Sequence, residues 1–360
     1  MTNDALDMNG HAGVPQENGI PTPEAVAERL GLRHVDSGDL SIRRCRCGRG
    51  WRYTGADQRT IRDAATIRRL NRLAVPPAYR EVLYASDPAA HLQAIGRDAA
   101  GRLQYRYHPE WEKVREVRKA RRLARLAKAL PRISRSLAQH LGSAQPTRSF
   151  TAAAVIELVA CSAIRAGEES YARMRDTRGA ATLLKSDVAV RGPRIRLTFR
   201  AKGGKTVSKE VDAARLARAI LRLRRLPGER LFQYHAESGE IRQINAREVN
   251  AFLREIAGAK ISLKDFRTLL ACESVLDSLS RAEPAPNHRQ RRKQVLHAVK
   301  AAAEDLANTP AICRRSYVHD AVVEAFENGV LGHCAPALKN CRSRTGRAQV
   351  LADIITGALT

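Results

Sequence analysis

"RIRLTFRAKGGKTVSKEV", residues 194 to 211, is the stretch on which the fold class turns. Ahead of it the chain reads as helix. Val114, Val117, Leu123, Leu126 and Leu130 recur at helical spacing with Arg and Lys between them, and Pro131 is expected to end or kink that helix. "TAAAVIELVACSAI" (151–164) is apolar nearly all round, as a buried helix is. Within 194–211 the period drops to two. Ile195, Leu197 and Phe199 alternate with Arg196, Thr198 and Arg200, Gly203-Gly204 supplies a turn, and 206–211 returns. The pattern predicts a β-hairpin with Lys202 and Lys205 at its tip. Helical signals then resume. Asp212 is expected to cap a helix to about 225, and Asn245 with Glu248 has capping-box spacing for a helix over 246–257. Further helices are expected at 264–281, 288–307 and 317–329.

Working back towards the N-terminus, 40–108 is strand-like and broken by turns. "RCRCGRGWRYTGADQRTI" predicts a hairpin turning near Gly55 and Asp57, and "HLQAIGRDAAGRLQYRYH" a second one around Asp98 to Gly101. Between them "IRDAATIRRLNRLAVPP" predicts a short helix closed by Pro76-Pro77. Another helix is expected over 23–31. The fold class is therefore α+β: a small, mostly β N-terminal domain (23–112), then a larger, mainly helical domain (113–340) carrying a small sheet. Residues 1–22 lack periodicity and are expected to be disordered, and 341–360 reads as a basic tail.

Charge narrows the partner. Lys and Arg number 63 against 37 acids, a formal charge of +26. Such an excess repels itself unless a polyanion is present, so nucleic acid is the expected partner. Aromatic residues are only 4%, too few for the stacking platforms of single-strand binders, which favours duplex DNA. No run approaches a membrane span and no secretory signal opens the chain, so a cytoplasmic, nucleoid-associated location is expected. Seven scattered cysteines read as reduced thiols. Cys45-Arg-Cys47 lacks zinc-knuckle spacing, and neither a GxxxxGK[ST] nor a GxGxxG loop occurs. No metal and no cofactor are expected.

Strand cleavage without these aids needs a side-chain nucleophile, cations on the non-bridging phosphate oxygens, and an acid for the leaving oxygen. A phenol is a weak nucleophile at its ordinary pKa near ~10, and neighbouring guanidinium groups would stabilise the phenolate. "IRAGEESYAR" offers Arg165, the hairpin tip Lys202, "LKDFRTLLA" Arg267, and "NTPAICRRSYVHD" Asn308 and Tyr317. Spacing alone does not make them converge. Asn308 as a helix N-cap and Arg267 as the ion-pair partner of Asp265 are competing structural readings.

At these residues the chain resembles the type IB DNA topoisomerases of the compact bacterial and viral branch. "IRDAATIRRLNRLAVPPAY", "HLQAIGRDAAGRLQYRYHPEW" and "LAKALPRIS" are similar to that family's clamp domain and linker. "IRAGEESYAR", "FRAKGGK", "LFQY", "VNAFLREI", "DFRT" and "NTPAICRRSYVH" are similar to its catalytic segments, in the expected order. The resemblance implies that Tyr317 is the nucleophile forming a 3′-phosphotyrosyl bond and Lys202 the general acid. It implies that Arg165 and Arg267 clamp the phosphate, and that Asn308 donates to it where many relatives have histidine. It also implies duplex contacts by Gln104, Tyr105, Arg106, Tyr107 and Tyr171, with Lys205 beside Lys202 on the tip. The implied activity is ATP-independent relaxation of supercoiled DNA by a monomer closing around the duplex. Leu269-Leu270 stand where the family has an aromatic and a small residue. The alternatives are a tyrosine recombinase and a catalytically inactive architectural DNA-binding protein.

Overall fold

Turn chemistry and alternation over 42–107 build a five-stranded antiparallel sheet. The structure, a computed structural model, describes residues 16–17, 19–340 and 343–357, so most of the expected disordered segment 1–22 lies outside the described residues. These residues form two compact units divided between Arg118 and Lys119. In the first, β1 (Gln16–Glu17) pairs with β2 (Ile20–Pro21). Thr22 then caps α1 (Pro23–Arg29), its hydroxyl accepting from the Ala25 N–H. Five strands follow: β3 (Ile42–Cys47), β4 (Gly50–Thr54), β5 (Arg80–Tyr84), β6 (Leu92–Arg97) and β7 (Leu103–Tyr107), in the order β4-β3-β5-β6-β7. Between β4 and β5, α2 (Ala64–Arg72) is capped by Asp63 and buries Leu70 against Ile42, Tyr53, Val82, Tyr84 and Ala94. It stops short of Pro76-Pro77, as expected.

The β6–β7 hairpin turns at Asp98–Gly101 as read. The β3–β4 hairpin does not turn at Gly55 and Asp57. Its two-residue turn is Gly48–Arg49, with Gly48 at φ +56, because so tight a loop needs a left-handed residue. Gly55 and Asp57 form a second turn beyond β4, where Gln58 N–H donates to Gly55 C=O at 3.0 Å.

The second unit is mainly helical. Leading into it, α3 (Trp111–Leu141) runs through Pro131 without ending. A proline inside a helix costs about 3 kcal/mol. Leu123, Leu126, Leu130, Ile133, Leu137 and Leu141 are all buried in one stripe along it, and at ~1.5–3 kcal/mol each their packing outweighs that cost. Next come α4 (Arg148–Ser162), α5 (Glu169–Arg175), β8 (Val188–Arg191), β9 (Arg194–Arg200), β10 (Thr206–Asp212) and α6 (Ala214–Leu223). The β9–β10 hairpin matches the alternation that predicted it: Ile195, Leu197 and Phe199 are buried and the arginines between them exposed. A one-residue slip would expose all three, so the register, and with it the position of the tip, is fixed. Asp212 ends β10 and does not cap α6, whose N-cap is Ala213. The strand's last ladder pair, Asp212 with Arg194, claims it.

β11 (Gln233–His235), β12 (Ile241–Gln243), α7 (Ala246–Ala257), α8 (Leu263–Ser280), α9 (His288–Asp305), α10 (Pro310–Ser316), α11 (Asp320–Glu327), α12 (Leu331–Asn340) and α13 (Arg344–Thr356) complete the unit. Asn245 and Glu248 form the predicted capping box of α7. The helix read at 317–329 starts at Asp320, since Tyr317 closes α10 instead. The described part of the expected tail is α13, which buries Ala348, Leu351, Ala352 and Ile354 in the core; its basic residues masked an apolar face. α4 is the hub, packed against α6, α7, α8 and β11. No helix among the described residues is long and apolar enough to cross a membrane.

Candidate active site

The site forms where α4 ends. Ala163 takes the left-handed conformation, φ 56°, and stops the helix, so the chain turns outward and presents Arg165. Its backbone is clamped by the loop at 179–181: Ala180 N–H donates to Arg165 C=O at 2.7 Å and Ala181 N–H to Ala166 C=O at 2.8 Å. Two glycines permit this crossing. A Cβ on Gly179 would sit 2.5 Å from Gly167 N and 2.6 Å from Arg165 O. The Arg165 guanidinium then donates to the Asn308 side-chain oxygen at 2.5 Å. Arginine has only donors, so this contact fixes which way the amide points.

Arg267 lies in the first turns of α8 and is only 3% exposed. Its two terminal nitrogens are anchored, one to the Ala163 carbonyl and the other to the Leu306 carbonyl at 3.1 Å. A buried guanidinium is costly unless paired, and here main-chain carbonyls and a phenol surround it. Burial lowers its pKa, offset in part by Tyr317. Asp265 does not pair with it. That carboxylate caps α8 through the Ser262 N–H at 2.7 Å and meets Arg122 at 3.1 Å. Leu269 is buried in the core behind Arg267, an apolar filling where the resemblance expects an aromatic.

Tyr317 follows the last turn of α10 and is 8% exposed. The Arg267 guanidinium lies 5.1 Å from its ring centroid and the Lys264 ammonium 6.0 Å. Burial raises the phenol pKa; the charges of Arg267, Arg165 and Lys264 outweigh burial, and the pKa falls below its usual value. The surrounding backbone is strapped down. The Lys119 ammonium donates to the Val318 carbonyl at 3.1 Å, and the Cys272 thiol donates to the Tyr317 carbonyl at 3.1 Å. Asn308 is not an N-cap: Thr309 caps α10, accepting from Ile312 N–H, which leaves the Asn308 amide for Arg165. Two buried donors here have no partner among the described residues, Arg267 Nε and Asn308 Nδ2. An unpaired buried donor costs about 1–3 kcal/mol.

Arg165, Arg267, Asn308 and Tyr317, more than 150 positions apart at their extremes, thus meet in one place. Lys202 and Lys205 sit exposed at the β9–β10 tip, where Gly203 and Gly204 take φ +86 and +76; no hydrogen bond or ion pair among the described residues ties Lys202 to the cluster. Tyr171 is on α5 with the Arg175 guanidinium 5.6 Å from its ring centroid. In the other unit β7 divides its residues between two faces. Tyr105 and Tyr107 are 48% and 40% exposed, with rings stacked at 6.3 Å. Gln104 donates to Asp98 at 2.9 Å and Arg106 to the Ala74 carbonyl at 3.2 Å. Sequence reasoning missed Lys264 and Cys272. Lys264, three positions before Arg267 on α8, was open to a helical-spacing argument; Cys272 was visible only in three dimensions.

Comparisons with known proteins identify the family. Residues 108–333 match the family described as eukaryotic DNA topoisomerase I, catalytic core, and residues 50–98 match the bacterial DNA topoisomerase IB N-terminal domain. The chain is 30% identical over 269 residues to DNA topoisomerase 1B of Acanthamoeba polyphaga mimivirus, covering 73% of this chain and 80% of that protein. A catalytic-core match over most of the chain, joined to the matching N-terminal domain, makes this chain a member of the type IB DNA topoisomerase family.

Proposed function

We propose that this enzyme relaxes supercoiled duplex DNA by transient cleavage of one strand at Tyr317, acting as a monomer in the cytoplasm on nucleoid DNA. Tyr317 Oη, its proton released to solvent, attacks the phosphorus in line; the bond to the 5′ oxygen breaks and a 3′-phosphotyrosyl link forms. Arg165, Arg267 and Asn308 donate to the non-bridging oxygens as negative charge builds there. Lys202 supplies the proton to the departing 5′ oxygen. The hairpin tip is exposed, so bound duplex is what would bring that ammonium to the scissile bond. After the free end rotates about the intact strand, the 5′-hydroxyl attacks the phosphotyrosine and reseals the break. One phosphoester replaces another at each step, so the cycle needs no ATP. Phosphate contacts by Lys and Arg supply most of the affinity and make it steeply salt-dependent; Tyr105 and Tyr107 add contacts from the N-terminal sheet.

The observation that favours this reading is a buried phenol made more acidic by three cations, beside two buried donors left without partners among the described residues. Empty donors in a desolvated pocket suit an anionic ligand with several oxygens. The experiment is plasmid relaxation with EDTA and no ATP, together with trapping of covalent product under denaturant. Wild-type enzyme should relax the plasmid and yield an adduct. Tyr317→Phe should bind duplex DNA as well as wild type and do neither; a Tyr317→Phe enzyme that still relaxes DNA would overturn the assignment.

A further inference from the structure

Lys209 lies on β10, in the returning strand of the hairpin that carries Lys202 at its tip, yet it reaches the end of α4 where Arg267 is held. Its ammonium donates to the Ser162 carbonyl at 2.7 Å, and the next carbonyl along, Ala163, accepts from Arg267. The last carbonyls of a helix have no partner within it, and cations are favoured there by the helix dipole. Two cations from different elements therefore cap the C-terminal end of the buried α4, one carbonyl each. Lys209 is itself largely buried, with Asp305 and Arg267 as its charged neighbours. One face of it meets a cavity of about 630 Å³ that Glu210, Glu273, Asp277, Glu304, Asp305 and Arg347 also line. Together with Arg165, Arg267 and Leu306 it also lines a much smaller cleft on the side of the catalytic cluster.

We propose that Lys209 is a positioning residue for Arg267, and this rests on the assignment of Tyr317 and Arg267 to strand cleavage. Arg267 has its two terminal nitrogens on the Ala163 and Leu306 carbonyls, and its guanidinium carbon lies 5.1 Å from the Tyr317 ring centroid. If Lys209 is lost, Ser162 presents a second orphan carbonyl beside the one Arg267 already holds. The guanidinium already holds the adjacent carbonyl and is drawn towards the freed one, away from the phenol and the phosphate. Lys209 touches neither substrate nor phenol in this scheme; it acts by occupying the competing acceptor. Its burial lowers its own pKa, in keeping with a donor that works through hydrogen bonding more than through long-range charge.

The test compares Lys209→Met and Lys209→Arg with wild type and with Tyr317→Phe. Single-turnover cleavage of duplex DNA, DNA affinity, thermal melting and the ultraviolet titration of the phenol are measured, with Tyr317→Phe as the spectral reference that isolates Tyr317. Lys209→Met should bind DNA within about twofold and cleave roughly ten- to a hundredfold more slowly, the scale of a misplaced catalytic group. Its Tyr317 should titrate at higher pH, and Lys209→Arg should restore both. A Lys209→Met enzyme with wild-type cleavage and an unmoved phenol overturns the proposal. So does a defect that Lys209→Arg shares in full, since that would reflect packing alone. If Lys209→Met does not fold, Lys209→Gln, which keeps a donor, takes its place: near-normal cleavage and phenol titration support the proposal, and a full loss of cleavage in a folded enzyme overturns it. Tyr317→Phe separates the levels: if it cleaves, the site reading fails; if it is inert while Lys209→Met is normal, only the role of Lys209 fails.

Discussion

Tyr317 and Tyr105 are the same side chain under opposite conditions. Tyr317 is 8% exposed, with its backbone strapped by Lys119 and Cys272 and its ring flanked by Arg267 and Lys264. Tyr105 is 48% exposed on the outward face of β7, its ring stacked on Tyr107. Burial lets surrounding charges act at low effective dielectric, so they change the acidity of Tyr317; the outward tyrosine pair offers surface instead. The difference is between a phenol whose acidity its surroundings shift and phenols exposed on a sheet face, for which binding is the proposed role. Each kind should fail in its own way when changed.

The largest effect is expected where tuning is concentrated. Arg267→Ala removes the guanidinium 5.1 Å from the Tyr317 ring centroid and the phosphate donor proposed for it. Loss of one such preorganised donor costs about 10²–10³ in rate, so cleavage should slow by at least that factor while duplex affinity changes little. The phenol loses its main acidifying neighbour, so the rising limb of the cleavage pH profile should move to higher pH. A variant that cleaves within a few-fold of wild type with an unmoved limb would remove Arg267 from the site and, with it, the contrast between the two tyrosines.

On the sheet face the effect should be smaller and of another kind. Tyr105→Ala with Tyr107→Ala should weaken duplex binding by roughly 0.5–1.5 kcal/mol for each phenol contact to the sugar-phosphate backbone removed. Cleavage by the saturated complex should stay near wild type. Single-turnover rates at rising enzyme concentration separate the two effects. If saturated cleavage falls instead, the strand is part of the chemistry and the division between tuned and binding tyrosines is wrong.

How much of this was legible in the sequence follows the same division between local and long-range causes. The β9–β10 hairpin, the Asn245–Glu248 cap and the β6–β7 turn depend on neighbours within a few positions, so alternation and cap spacing revealed them. Pro131 misled because the packing that overrides it comes from distant helices. The described part of the tail is α13, whose apolar face is interleaved with arginines and matters only once packed against α8, α11 and α12. In the site, Arg165, Arg267, Asn308 and Tyr317 were reachable through resemblance, since physics gave suitable residue types without showing that they meet. Lys209, Cys272 and the Gly167–Gly179 crossing had no local signature: each is defined by an interaction across the fold. Even the rival readings, Asn308 as a cap and Arg267 with Asp265, were locally sound and lost to tertiary partners.

Stability should show the same dependence on burial, with catalysis left alone. Glu273 is on α8 beyond Arg267, lining the cavity that Lys209 also meets. One of its oxygens is buried without a partner among the described residues. Burial pushes its carboxyl from 4.5 up to about 7, with Arg344 and Arg347 pulling only weakly the other way. A raised folded pKa means that the folded state holds the proton more tightly than the unfolded one. The resulting stability is fully present below the unfolded value, and it is lost as pH climbs through the folded value near 7. The shift corresponds to at most about 3 kcal/mol at pH 8, at 1.36 kcal/mol per unit. Glu273→Gln is permanently neutral and escapes that loss. Its melting temperature should exceed that of wild type by several degrees at pH 8, and the gap should close towards pH 4.5. Cleavage near pH 7 should stay within about twofold of wild type, since no hydrogen bond or ion pair among the described residues joins Glu273 to Arg165, Arg267, Asn308 or Tyr317. A melting difference that is flat across this range would show that burial does not control Glu273, and that α8 is less sealed behind Arg267 than the structure has it.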